Sequence, residues 1–297
     1  MTLHTLQIGM EWFTEEPGGL NRVYAHLLHE LRERGVATRG LVVGSSDVAR
    51  ASAGLADAFA PVSVPLIRRM HAMRRAARPW LRAHRTDGVV VSHFALNAFP
   101  ILDRLRDQPF VVHFQGPWGQ ESLLEGAPRM AVMAKELLEG LVYRRANRAI
   151  VLSEAFGEIL HTRFGVARER IHVIPGGVEA ARFTTDRSRT ACRDQLGWPT
   201  DRPIVLCVRR LVRRVGLGSL IQAAEVLRRL VPDVLVLIAG KGYLRAELEA
   251  HITSLGLEDT VRLLGFFPDA DLPTAYRAAD LTAVPSVALE GFGLVAA

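Results

Sequence analysis

Residues 203–239 read PIVLCVRRLVRRVGLGSLIQAAEVLRRLVPDVLVLIA, and their pattern decides the fold. The apolar runs 203–208 and 233–239 are rich in Val, Ile and Leu and do not alternate with polar residues, as expected of strands covered on both faces. Between them Leu220, Ile221, Ala224, Leu227 and Leu230 recur at helical spacing. Strand, amphipathic helix and second buried strand make a βαβ unit with parallel strands.

The same alternation extends outward. Toward the N-terminus, strands are predicted at 3–9, 39–44, 88–92, 109–114, 148–152 and 170–174; toward the C-terminus, at 260–264 and 281–284. Leu20, Val23, Tyr24, Leu27, Leu28 and Leu31 form the stripe of a first helix, which Gly35 stops. Two βαβα series imply an α/β protein of two Rossmann-like, doubly wound domains. Residues 1–178 form the first, 179–201 a polar linker, and 202–297 the second. Ligands of such folds bind at the carboxyl ends of the strands, and for two facing domains that places them in the cleft.

Composition narrows the function. Of 297 residues, 49% are hydrophobic and 23% charged, the balance of a folded globular chain. No run approaches the ~18 apolar residues of a membrane span, and the N-terminus lacks the pattern of a secretory signal. Cys192 and Cys207 make no CxxC, which fits a reducing cytoplasm. The net charge of +6 favours anionic partners. Seven arginines at 68, 69, 74, 75, 78, 82 and 85, with no acid between them, share a segment with Leu66, Ile67, Met70, Met73, Trp80 and Leu81. As a helix, broken or kinked at Pro79, it is basic and amphipathic, suited either to an anionic bilayer or to a solvated face packed on the sheet. Nucleic acid is not expected as a partner, for the basic segment lacks interleaved aromatics and any recognised module.

Three motifs carry chemistry. Gly18-Gly19 lies between the first strand and first helix, where a backbone can approach an anion closely; an ordinary tight turn is the alternative. Arg209, Arg210, Arg213 and Arg214 follow a buried strand, and their guanidinium forks suit a diphosphate, with a solvated basic loop as the alternative. In the tail, Glu290 stands beside Gly291 and Gly293, which suits sugar hydroxyls. Gly240-Lys241-Gly242 lacks the third glycine of a dinucleotide fingerprint, and neither GxSxG nor HExxH occurs.

In this order, the motifs resemble those of retaining glycosyltransferase family 4, which has the GT-B architecture of two Rossmann-like domains facing a cleft. The resemblance runs through SHF at 92–94, VVHFQGPW at 111–118, IVLSEAF at 150–156, IHVIPGGVE at 171–179, VLIAGKG at 236–242, VRLLGF at 261–266 and EGFGLVAA at the end. It implies metal-independent transfer of a sugar from a nucleoside-diphosphate sugar to an acceptor hydroxyl. No cofactor is expected beyond the UDP- or GDP-sugar substrate. The implied acceptor is a glycan, a lipid-linked sugar or a small molecule. The implied location is the cytoplasm, with contact at the inner membrane face.

The resemblance also assigns residues. Arg210 and Arg214 stabilise the leaving diphosphate, and Glu290 contacts the donor sugar. Gly291, Phe292, Gly293 and Leu294 offer backbone N–H groups to sugar and phosphates. Gly18, Gly19, Gly240 and Gly242 approach the donor, while His113 and Gln115 line the acceptor side, although His113 also reads as a core histidine. Asp269-Ala270-Asp271 is read as a turn rather than a metal motif.

The sequence departs from the family at three points. Val215 stands where relatives have lysine, so Arg214 is expected to supply that charge, and Gln115 stands where histidine is common. The second glutamate of Glu-x7-Glu falls at position 298, so the second domain is expected to be unfinished. Two alternatives remain: a sugar-nucleotide epimerase on the same fold, and a non-catalytic fragment that binds a sugar nucleotide or a membrane.

Overall fold

The structure, a computed structural model, describes residues 3–291 together with Gly293 and Val295. The chain divides into two compact units, one of Met1–Leu123 and Ala127–Pro175, the other of Leu124–Gly126 and Gly176–Ala297.

The first unit is built on seven strands, β1 (His4–Glu11), β2 (Ala37–Val43), β3 (Ala56–Ala60), β4 (Gly88–Ser92), β5 (Phe110–Phe114), β6 (Arg148–Val151) and β7 (Ile171–Val173). All pair in parallel, in the order β3-β2-β1-β4-β5-β6-β7. Chain order therefore reverses between β1 and β4, and a doubly wound sheet opens its binding crevice at such a reversal, beyond the carboxyl ends of the strands. Leu6 and Ile8 of β1 pack with Val90, Phe110, Val112 and Phe114 in the main core. A second cluster around Tyr24, Leu28, Val42 and Ala56 fixes the helix Gly19–Glu33 on the sheet.

The second unit carries β8 (Ile204–Val208), β9 (Leu235–Ala239), β10 (Val261–Gly265) and β11 (Leu281–Thr282), parallel in the order β10-β9-β8-β11. Its strands show why the apolar runs do not alternate. Val205, Cys207, Val236 and Ile238 face one core, with Ile221 and Leu248 of the flanking helices. Ile204, Leu206, Leu235 and Leu237 face the opposite core, with Ala275 and Ala279. Both faces are dry, so both registers must be apolar.

Two expectations need correction, and one strand lies outside the predicted set. β3 was not anticipated, because its sequence ADAFA has little β-branched or apolar bulk and its place is at the sheet edge. The stretch 179–201 is not a plain linker. It forms the helices Ala180–Phe183 and Arg189–Leu196, the latter capped by Ser188, whose side chain accepts from the Ala191 N–H, and by left-handed Gly197. Arg193 of that helix is buried and paired with Asp280 at 2.6 Å, so this segment belongs to the second unit. Finally, the helix Leu66–Ala83 runs unbroken through Pro79. Proline there removes a single backbone donor near the helix end, a loss the last turn tolerates.

Candidate functional site

In the second unit the strand order reverses between β8 and β11, and the segments leaving these two strands meet. Arg209 follows β8 directly. Its Nη2 donates to Ser286 Oγ at 2.8 Å and pairs with Glu290 Oε2, while Ser286 Oγ donates to the same carboxylate oxygen at 2.8 Å. The Arg209 side chain is 9% exposed and that of Glu290 31%. Burial pushes the Glu290 carboxyl upward, but the bonds from Arg209 and Ser286 outweigh it and hold the group below the usual carboxylate range. It is therefore an anion at neutral pH, fixed in direction by two donors.

The arginine loop and the tail are joined at two further points. Val287 N–H donates to Arg214 O at 3.1 Å, and Arg214 Nη1 donates to Leu289 O at 3.3 Å. Arg210 is exposed beside them. Val215 is buried at 2% exposure, so its side chain belongs to the core and the nearest cation in the loop is Arg214. Gly216, at φ +77°, turns the chain into the helix Leu217–Leu230, and a Cβ there would overlap the Pro285 carbonyl oxygen. Gly291 and Gly293 (φ +73°) follow Glu290; Phe292 and Leu294 lie outside the described residues.

Gly240 and Gly242, expected on the donor side, pack closely against the backbone of the arginine loop. Gly240 has φ +147°, and a Cβ on it would overlap Arg209 O; one on Gly242 would overlap Leu211 O. Leu211 N–H donates to Lys241 O at 2.9 Å, so the turn after β9 lies flat against the arginine loop. These glycines are required by backbone packing and hold Arg209 and Arg210 in place. The Asp269–Asp271 segment is a 3-10 turn in which Arg182 pairs with Asp269, so that carboxylate already has a cation.

In the first unit, the predicted residues gather at the reversal between β1 and β4. Gly18 caps the helix Gly19–Glu33 in extended geometry, and a Cβ on Gly18 or Gly19 would meet nothing within 4 Å. Neither backbone angle nor packing demands glycine here, so the space is open to a ligand. Asn21 braces this loop: its Nδ2 donates to Glu16 O at 2.9 Å, and its Oδ1 accepts from Glu11 N–H at 3.3 Å.

His93 follows β4 and His113 lies in β5, their rings edge to face at 5.0 Å. His93 Nε2 bonds Gln7 Oε1 at 2.8 Å. Burial lowers the His113 pKa to about 4 and holds His93 well below the usual histidine range, with the neighbouring His113 adding to it. Both rings are neutral at pH 7. His93 Nδ1, Gln115 Nε2, Ser92 Oγ and Trp12 Nε1 are all buried without a hydrogen-bond partner among the described residues. Such groups are costly unless something supplies the missing bonds, and all four follow or end β1, β4 and β5. Glu139 fixes the loop beyond Gln115 by accepting from the Trp118 and Gly119 N–H groups at 2.8 and 2.9 Å.

Sequence reasoning missed Ser286, Trp12, Ser92 and Gln7 in these clusters, and chose Arg210 over Arg209 as the central cation. Arg209 is the first residue past the buried strand β8, at its carboxyl end, and that position was the available signal.

Residues 17–182 match the family profile described as Glycosyltransferase Family 4, and residues 188–297 the profile described as Glycosyl transferases group 1. The chain is 32% identical over 168 residues to mannosylfructose-phosphate synthase of Agrobacterium fabrum, covering 53% of this chain and 36% of that enzyme. It is 30% identical to a D-inositol 3-phosphate glycosyltransferase of Kineococcus radiotolerans, over 100% of this chain and 73% of the relative. The fold is shared with Anabaena HepE in complex with UDP and glucose, at TM-score 0.77 and 22% identity over 99% of this chain and 77% of that one. Among the curated relatives the aligned share is often smaller, and the chain spans about two-fifths of some of them, 41% for the Corynebacterium kroppenstedtii D-inositol 3-phosphate glycosyltransferase. With a full-length match at 30% identity and a profile covering more than half of its residues, the chain belongs to glycosyltransferase family 4 and has its GT-B fold.

Proposed function

We propose that this chain transfers a sugar from a UDP- or GDP-sugar to an acceptor hydroxyl with retention at the anomeric carbon. The observation that carries the reading is the Arg209–Glu290–Ser286 cluster, set with Arg210 and Arg214 at the strand-order reversal of the second unit. A carboxylate held rigid among guanidinium groups can orient neutral sugar hydroxyls while the surrounding cations receive a diphosphate. The second unit then holds the donor, with Glu290 Oε1 directed to a sugar hydroxyl and Arg210 at the diphosphate. The first unit receives the acceptor, whose oxygens satisfy the donors left by Trp12 and Gln115. The bond from the anomeric carbon to the diphosphate oxygen breaks as the acceptor oxygen bonds the same face, and the acceptor proton passes to the leaving phosphate. His113 and His93 are neutral and contribute polarity rather than charge. Charge neutralisation falls to arginines and backbone N–H groups rather than to a metal.

Release of UDP or GDP from a panel of donor sugars, with glycan, lipid-linked and small acceptors, tests the reading. Arg210→Ala is expected to slow turnover by more than about tenfold. Near-parent rates in that variant remove Arg210 from the reaction, and nucleotide sugar epimerised without acceptor replaces transfer with epimerisation.

A second reading concerns the acceptor's source. Arg68, His71, Arg75, Arg78 and Arg82 are all exposed and line one face of the helix Leu66–Ala83, with Leu66 and Ile67 exposed at its start. We assign this face to an anionic bilayer, at the cytoplasmic side where lipid-linked acceptors lie; the free, buried Cys192 and Cys207 support a reducing compartment. No helix among the described residues is long and apolar enough to cross a membrane, so contact is peripheral in this reading. Cosedimentation with phosphatidylglycerol vesicles, lost in 0.5 M salt (about a 4 Å Debye length) and absent with phosphatidylcholine alone, is expected. Equal binding to both vesicle types overturns it.

A further inference from the structure

The amino ends of β1 and β4 hold a side-chain group that the proposed transfer leaves unused. His4 opens β1, His84 caps the helix Leu66–Ala83, and Asp87 immediately precedes β4. The ladder pairs His4 with Gly88, which brings the three together. His84 Nδ1 stands 3.4 Å from Asp87 Oδ1, and His4 Nε2 stands 3.8 Å from Asp87 Oδ2. One nitrogen or oxygen from each residue lies within 4.8 Å of the other two. The imidazole rings lie over one another, centroids 4.1 Å apart, and Trp80 backs His84 at 5.0 Å. Gln108 Nε2 donates to His84 O at 2.7 Å and anchors the backbone beneath the ring.

The two histidine–aspartate spacings, 3.4 and 3.8 Å, exceed those of good hydrogen bonds, which centre near about 2.9 Å. They approach the edge of a tetrahedron, about 3.3 Å, that nitrogen and oxygen ligands form when bonded at about 2.0–2.1 Å to zinc. Two imidazoles and one carboxylate also select by chemistry. Calcium and magnesium take all-oxygen shells, whereas zinc, cobalt and nickel accept imidazole. The side chains are 23–37% exposed, so an ion can enter from solvent, and binding opens the stack of the two rings so that each turns a lone pair to the ion.

We propose that His4, His84 and Asp87 form a binding site for one divalent transition-metal ion of the zinc class. The site lies at the opposite end of the strands from His93 and His113, so the ion acts on the fold and not on a transferred sugar. It ties the start of β1, the end of the arginine-rich helix and the entry to β4 into one unit.

Zinc titrated calorimetrically into the full chain without an affinity tag tests the site, with His84→Ala and Asp87→Asn alongside. The parent is expected to bind one equivalent more than either variant. With zinc at about ten times its dissociation constant, the parent's Tm is expected to rise by about 2–4 °C. Cobalt in place of zinc is expected to give the visible absorption of a tetrahedral nitrogen–oxygen site, lost in both variants. Asp87→Asn changes one charge and almost no volume, so it remains informative where His84→Ala fails to fold. Equal zinc stoichiometry in the parent and a folded variant, with unchanged cobalt absorption, overturns the proposal.

Discussion

Arg209 and Glu290 stand 81 positions apart in sequence and are joined by an ion pair that Ser286 completes. Through it the arginine loop after β8 and the tail after β11 become one surface. Arg209→Ala removes the cation that holds Glu290 ionised and aligned, and nucleotide-sugar turnover is expected to fall by more than about tenfold. Glu290→Gln leaves the mostly buried guanidinium without its anion and is expected to destabilise the second unit by about 1–3 kcal/mol. That is less than the cost of orphaning a fully buried charge, since the Glu290 side chain is 31% exposed. Urea unfolding and product release measure the two effects separately.

The glycines divide by mechanism. Gly240→Ala forces a side chain into Arg209 O at φ +147°, so a loss of about 3 kcal/mol or more and a lower Tm are expected. Gly19→Ala meets open space at the start of a helix and is expected to leave Tm within about 2 °C while weakening turnover. A Gly19→Ala chain with parent kinetics would show that no ligand approaches that turn.

His113 predicts a pH dependence. Its folded pKa, about 4, lies below the ordinary histidine value of 6.5. Below pH 6.5 the unfolded chain takes up a proton that the folded chain refuses, so stability is retained above 6.5 and lost as pH falls toward 4. Between pH 6.5 and 5 the loss from this residue is about 1.6 kcal/mol. Replacing it by phenylalanine is expected to flatten the acid limb of the Tm–pH curve by about one proton; an unchanged slope would count against a neutral His113.

Asp280 ties the segment before β8 to β11. Its carboxylate accepts from Ile204 N–H at 2.7 Å and pairs with Arg193 at 2.6 Å and Arg189 at 2.8 Å. Burial pushes its carboxyl up, but these partners outweigh that and hold it below the usual range. Asp280→Ala strands the buried Arg193, whose remaining bonds run to backbone carbonyls. A cost of about 2–4 kcal/mol is expected, read by denaturant unfolding. Asp280→Asn, which keeps an acceptor for Ile204 N–H, is expected to cost less.

Much of this protein was determined locally. Uniformly apolar runs such as 235–239, alternating with helical stripes such as Leu20–Leu31, pointed to strands covered on both faces by helices with one buried side. That periodicity specified the parallel α/β plan, and the order of motifs along the chain specified the family. Tertiary structure decided which residues meet. Strand order placed the reversals at β1/β4 and β8/β11, and so selected Arg209 rather than Arg210 as the partner of Glu290. It gave Gly240 and Gly242 to backbone packing while leaving Gly18 and Gly19 before open space, although all four look alike in sequence. It also drew β3 from an alanine-rich stretch, because an edge position asks for backbone pairing with β2 more than for apolar bulk. The reason is physical: periodicity reports which face of an element avoids water, whereas charge pairing, close backbone approach and hydrogen-bond satisfaction depend on neighbours that only the folded chain supplies.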